Sequence, residues 1–150
     1  MPNVWFGSTD AWQMHHIVPK QAARMPELQL FLDLGALAGF NIGDVSANGI
    51  MLPSSRRDAV RTGLPFHRGG HPRYNDVMQN YLTAVAGPIS EIEDRSIAIR
   101  AAGDLLFGLV RNVRQRCLAC SHIEDVVSIN EIDLRGSAAK LSVTIARRGR

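Results

Sequence analysis

Lysine is almost missing from this chain. Among its 17 basic residues only Lys20 and Lys140 are lysine, and the rest are arginine. Cysteine is scarce too, with two in 150 residues, which excludes a disulfide-framed scaffold. No apolar run approaches the roughly 20 residues needed to cross a bilayer. The amino-terminal MPNVWFGSTDAWQ lacks a basic stretch followed by an apolar one, so it does not read as a signal peptide. If the protein leaves a cell, another module or machine must carry it. Internal repeats and low-complexity segments are missing as well. What remains is a globular composition, 45% hydrophobic and 21% charged, at a length that fits one domain with a modest core.

The net charge is a mild +3, but its placement is uneven. Between Ser54 and Tyr74, Arg56, Arg57, Arg61, Arg68 and Arg73 face the single acid Asp58. Arginine-rich codon usage could account for the total, not for this local excess. Arginine's planar fork suits phosphate, and such a stretch attracts a polyanion. Arg56, Arg57, Arg68 and Arg73 are the candidate phosphate contacts.

Histidine is concentrated in two places: His15 and His16 in WQMHHIVPK, and His67 and His71 in PFHRGGHPRYN. Imidazole binds divalent metals and titrates near neutral pH, so converging histidines can hold an ion and supply a general base. Residues 11–19 read as a strand ended by Pro19. Neighbours on a strand point to opposite faces, so His15 and His16 cannot easily share one job. His67 and His71 are spaced i,i+4, as are His71 and Asn75. Gly69, Gly70 and Pro72 argue against one regular helix through both histidines. A further string, Cys117, Cys120 and His122, has no fourth ligand. Its cysteines continue the apolar stripe of a helix and read as buried thiols.

The leucine-rich stretch 20–40 fits one or two short helices, with Gly35 and Gly39 as weak points. Asn48-Gly49 carries turn chemistry ahead of a short apolar piece, Ile50 to Leu52. Ser54 or Ser55 can cap a helix through about Arg61, stopped by Gly63 and Pro65. Another helix starts near His71 and ends at Gly87-Pro88, with Tyr74 half-buried on its apolar face. A long helix runs from about Ser90 to Cys117, where Ile92, Ile99, Leu106, Val113 and Cys120 recur every seven residues. Two β-branched runs within 123–147 read as a hairpin. The expected organisation is a single domain, 1–150, with a catalytic core over 1–87 and a helical and hairpin subdomain over 88–150.

The order of MHHIVPK at 14–20, NGIMLP at 48–53 and HRGGHPRYN at 67–75 resembles the HNH/endonuclease VII superfamily of nucleases, and within it the toxin nucleases named for an Ala-His-His motif. Met14 stands where that motif has alanine. The resemblance implies an α+β fold with a ββα-metal (His-Me finger) core embedded in a mainly helical domain. It makes His15 a metal ligand and His16 the general base. His67 and His71 complete the ligand set, with Asn75 as rival for one position. Asn48 resembles the central asparagine, whose side chain bonds backbone across the loop; a plain Asn-Gly turn is the alternative. The implied activity is metal-dependent phosphodiester hydrolysis with one divalent ion (zinc, magnesium or manganese), on DNA or alternatively RNA. A non-enzymatic zinc-stabilised module is the other alternative. The resemblance also implies a bacterial toxin domain. Such a domain is secreted within a larger effector, acts in a target-cell cytoplasm without membrane association, and is neutralised by an immunity protein. That partner is expected to be acidic.

Overall fold

The computed structural model describes residues 12–67 and 70–119, a mixture of helices and one small sheet. Strand β1, Trp12–His16, leads into a 3-10 turn, Lys20–Arg24, and helix α1, Pro26–Leu37. A single helical turn, α2 (Val45–Asn48), leads straight into β2, Gly49–Pro53. Helices α3, Arg56–Thr62, α4, Pro72–Ser90, and α5, Arg95–Ala119, follow. This is an α+β arrangement. The expected hairpin at 123–147, Cys120, His122 and Arg68 lie outside the described residues.

Local chemistry explains most boundaries. α1 has Pro26 in its first turn and Glu27 near the positive end of its dipole. It stops where Gly39 takes φ +94°. There Phe40 N–H donates to the Gly35 carbonyl and Gly39 N–H to that of Ala36, both at 2.9 Å, the paired bonds of a Schellman stop. Ser55 caps α3 by accepting from Asp58 N–H at 3.1 Å while its hydroxyl donates to the Asp58 carboxylate at 2.8 Å. Gly63, at φ 70°, ends that helix.

Three expected element boundaries are corrected. Asn48-Gly49 is not a tight turn. Asn48 closes α2 and Gly49 is already extended at φ −119°, because Asp44 caps the preceding residues into a helical turn. α4 does not end at Gly87-Pro88 but at Ser90. Pro88 removes one donor from the last turn, yet Ile89 just beyond it is fully buried and holds the chain in place. α5 begins at Arg95 rather than Ser90. Asp94 accepts from Ser96 N–H at 2.9 Å and Ile97 N–H at 3.1 Å, and so fixes the start.

The core lies between α1, α4 and α5. Leu28, Phe31, Met78, Leu82, Ile89, Leu105, Leu106 and Val113 are its fully or almost fully buried members. Gly35 is no weak point: a Cβ there would run into Leu106, and one on Gly103 would run into Ala38. The two glycines let α1 and α5 approach closely. Cys117 is a buried thiol at the end of this stripe, as expected. Among the described residues, no helix is long and apolar enough to cross a membrane.

β1 and β2 pair antiparallel, with His15 opposite Ile50 and His16 opposite Gly49. A slip of one residue would exchange the faces of His15 and His16, so the register is part of the site. Arg114 of α5 reinforces it. Its guanidinium donates to the Ser46 carbonyl at 2.7 Å and to the Gly49 carbonyl at 2.8 Å, tying the end of α2 and the start of β2 to the helical layer.

Candidate metal centre and cleft

Three histidines from separate parts of the chain converge at one end of the sheet. His15 comes from β1 and is 1% exposed. His67 lies in the loop between α3 and α4, and its N–H donates back to the Pro53 carbonyl at the end of β2 at 2.8 Å. His71 occupies the position just before α4. α4 starts only at Pro72, so His67 and His71 do not share a helix face. The ring centroid of His15 lies 5.1 Å from that of His67 and 4.7 Å from that of His71. The ring nitrogens of the three meet within 4.8 Å of one another.

The hydrogen bonding divides the ring nitrogens into two groups. His67 Nδ1 meets Gln13 Oε1 at 3.0 Å, and His71 Nδ1 meets Asn75 Oδ1 at 3.0 Å. An oxygen partner makes each Nδ1 the protonated nitrogen and leaves Nε2 as the electron pair. His67 Nε2 and both nitrogens of His15 are buried with no hydrogen-bond partner among the described residues. A buried polar atom left without a partner costs about 1–3 kcal/mol.

Burial pushes His15 down from 6.5 to about 3, helped by the neighbouring His71, His67 and His16. Burial and then His71 lower His67 in the same direction. Both are therefore neutral near pH 7, the state that ligates a metal. Neutral imidazoles, orphaned buried nitrogens and oxygen-bonded outer nitrogens fit a metal ion. Nitrogens sharing one ion at about 2.0–2.1 Å are at most about 4.2 Å apart, so a slight inward turn of the rings accommodates it.

His16 faces the other way. With Met14 it lines an open cleft of about 360 Å³, together with Pro19, Lys20, Gln21, Arg24, His67, His71 and Asn75. Burial, then the charge of Lys20, lowers its pKa, so it too is neutral and able to accept a proton at pH 7. Met14 fits beside it because the neighbouring position is Gly49, where a Cβ would strike the Met14 sulfur.

Asn48 is completely buried. Its Oδ1 accepts from Val18 N–H at 2.7 Å, and its Nδ2 donates to the carbonyls of Val18 and Ile42, each at 2.8 Å. Its backbone carbonyl accepts from Ile17 N–H at 2.9 Å. The residues directly after His16 are thereby pinned. Tyr74 adds a second tie. It is 2% exposed rather than half-buried, because its hydroxyl donates to the Ile17 carbonyl at 2.7 Å while its ring packs against His15 at 4.6 Å.

Of the candidate phosphate contacts, Arg56 and Arg57 are exposed in the first turn of α3, and Arg73 is exposed in the first turn of α4. None of the three lines the cleft; Lys20 and Arg24 do. Sequence reasoning missed those two and Gln13. The i,i+2 spacing of Gln13 and His15 on a strand was the available sign that both serve one face.

A family model described as a nuclease family of the HNH/ENDO VII superfamily with conserved AHH matches residues 5–116. No curated protein and no solved structure matches.

Proposed function

The chain belongs to the AHH nuclease family of the HNH/endonuclease VII superfamily and is a phosphodiester hydrolase, and from that premise we propose a metal-dependent endonuclease. His16 is its general base, and His15, His67 and His71 hold one divalent ion. The observation that carries this reading is the convergence of three imidazoles within 4.8 Å, two of which, His15 and His67, bury ring nitrogens with no partner among the described residues. Asn75 then orients His71 instead of ligating, because its oxygen already faces His71 Nδ1. In this proposal β1, β2 and the start of α4 form the ββα-metal unit.

An ion held by His15, His67 and His71 would supply Lewis-acid chemistry, offsetting charge on the scissile phosphate and on the departing 3′-oxygen. His16 takes a proton from the water aimed at phosphorus. Its Nε2 is buried, so Nδ1 is the nitrogen that receives it. A base of this kind contributes about 10²–10⁴-fold. Asn48 and Tyr74 keep the ring on its own face of the strand by fixing Ile17 and Val18. The products carry 5′-phosphate and 3′-hydroxyl ends.

DNA, cut with little sequence preference, is the proposed substrate. Arg56, Arg57 and Arg73 support a polyanion. Each sits in a helix first turn, where a cation is unfavourable by about 0.3–1 kcal/mol, so helix stability does not explain their placement. The family resemblance supports the remaining proposals: a bacterial toxin domain delivered within a larger effector and restrained by an acidic immunity protein.

The test is cleavage of plasmid DNA and of RNA by purified protein, with chelator and then with zinc, manganese or magnesium added back. DNA cleavage that chelator stops and an ion restores is the expected result. Chelator-resistant cutting of RNA alone would replace the reading with a metal-independent RNase. Bound zinc without cleavage of either would favour a structural zinc module.

A further inference from the structure

The cleft has a cationic wall that plays no part in holding an ion. The 3-10 turn Lys20–Arg24 starts from Pro19, whose carbonyl accepts from Ala22 N–H at 2.9 Å. Ala22 is fully buried and anchors the turn to the core. With about three residues per turn, positions 21 and 24 eclipse one another. Gln21 and Arg24 therefore form one ridge, and Lys20 stands next to it. All three are exposed and line the cleft together with His67, His71 and Asn75.

Among the described residues, neither the Lys20 nor the Arg24 side chain has a hydrogen-bond or ion-pair partner, and none of those lining the cleft is a carboxylate. Lys20 is near enough to His16 for its charge to act on that ring. Arg61, by contrast, is engaged by Asp58 at 3.1 Å. The cations beside the reacting groups are thus not those of the arginine-rich stretch.

We infer that Lys20 and Arg24 grip the phosphates flanking the scissile one, so that the substrate backbone runs along the Lys20–Arg24 turn and across His16. This rests on the nuclease reading and adds to it the path of the strand. Gln21, uncharged and on the same ridge as Arg24, contacts sugar or phosphate oxygens without adding charge. Arg56, Arg57 and Arg73 then act only at more distant phosphates.

The test uses the full chain carrying His16→Ala, so that substrate survives. Binding to labelled duplex DNA is measured over a range of salt concentrations, alone and with Lys20→Gln plus Arg24→Gln, or with Arg56→Gln plus Arg57→Gln. Each lost phosphate contact lowers the slope of log affinity against log salt by about 0.9. The Lys20/Arg24 pair is expected to lower it by about 1.8 and to weaken binding by about tenfold or more. The Arg56/Arg57 pair is expected to do less. With His16 restored, the Lys20/Arg24 pair should raise KM, and the Arg24→Gln change alone should do so with the smaller effect on kcat, because only Lys20 acts on the His16 ring. Both substitutions are exposed, and an unchanged melting temperature confirms that the fold is intact. An unchanged slope for the Lys20/Arg24 pair overturns the inference while the nuclease reading stands. Salt-dependent binding without any cleavage by the parent chain overturns the nuclease reading and leaves the grip in place.

Discussion

The helical layer and the sheet end of this molecule treat buried residues differently. Between α1, α4 and α5 the buried side chains are almost all apolar, and even the glycines act by letting helices close on one another. Around the sheet lie the buried polar residues found among the described residues, His15, Asn48 and His67. These three differ again. Asn48 satisfies its amide completely against backbone, whereas His15 has neither nitrogen satisfied and His67 only one. A fully bonded buried amide fixes structure. A buried nitrogen without a partner is costly, and it is tolerated where a ligand will use it. The contrast separates the scaffold of the site from its working groups.

The largest test of that separation concerns His16. His16→Ala is expected to lower cleavage about 10²–10⁴-fold and to leave metal affinity within a few fold. Near-normal cleavage, measured on plasmid, would show that another group is the base.

The next concerns pH. His15 falls from 6.5 in the unfolded chain to about 3 in the fold. The unfolded state therefore binds more protons between those values. Metal-free protein should keep its full stability above about pH 6.5 and lose it progressively as pH falls toward 3. The loss is on the order of 5 kcal/mol from this one group. Denaturant titrations across that window check it, and His15→Ala should flatten the dependence.

Asn48→Ala should cost about 2–4 kcal/mol, since it orphans buried backbone groups at Val18 and Ile42. Loss of metal affinity with no change in unfolding midpoint would reverse the structural assignment. Gln13→Ala and Asn75→Ala are the mildest tests. Each should lower metal affinity about 10–100-fold with little effect on stability. Direct ligation by Asn75 would show instead as loss of binding comparable to that of His71→Ala.

Much of this contrast is legible in the sequence. Strand alternation alone puts His15 and His16 on opposite faces, and the glycines and proline between His67 and Asn75 say that no single helix carries both histidines. Ser55, Gly63 and Pro72 mark helix ends through local chemistry. What is not legible depends on contacts distant in sequence. Asn48-Gly49 has the composition of a tight turn, but Asp44 and the long-range bonds to Val18 draw Asn48 into α2. Gly35 and Gly103 resemble helix breakers until the partner helix is in view. Local charge density pointed to Arg56 and Arg57, whereas the cleft is bordered by Lys20 and Arg24. They are two isolated cations brought there by a buried Ala22.

The most direct test of the central claim is calorimetric titration of metal-free wild type, His16→Ala and His15→Ala with zinc and with manganese. The account predicts one ion per chain for wild type and for His16→Ala, and none for His15→Ala. Retention of the ion by His15→Ala, or its loss from His16→Ala, would contradict the division of labour between these adjacent histidines.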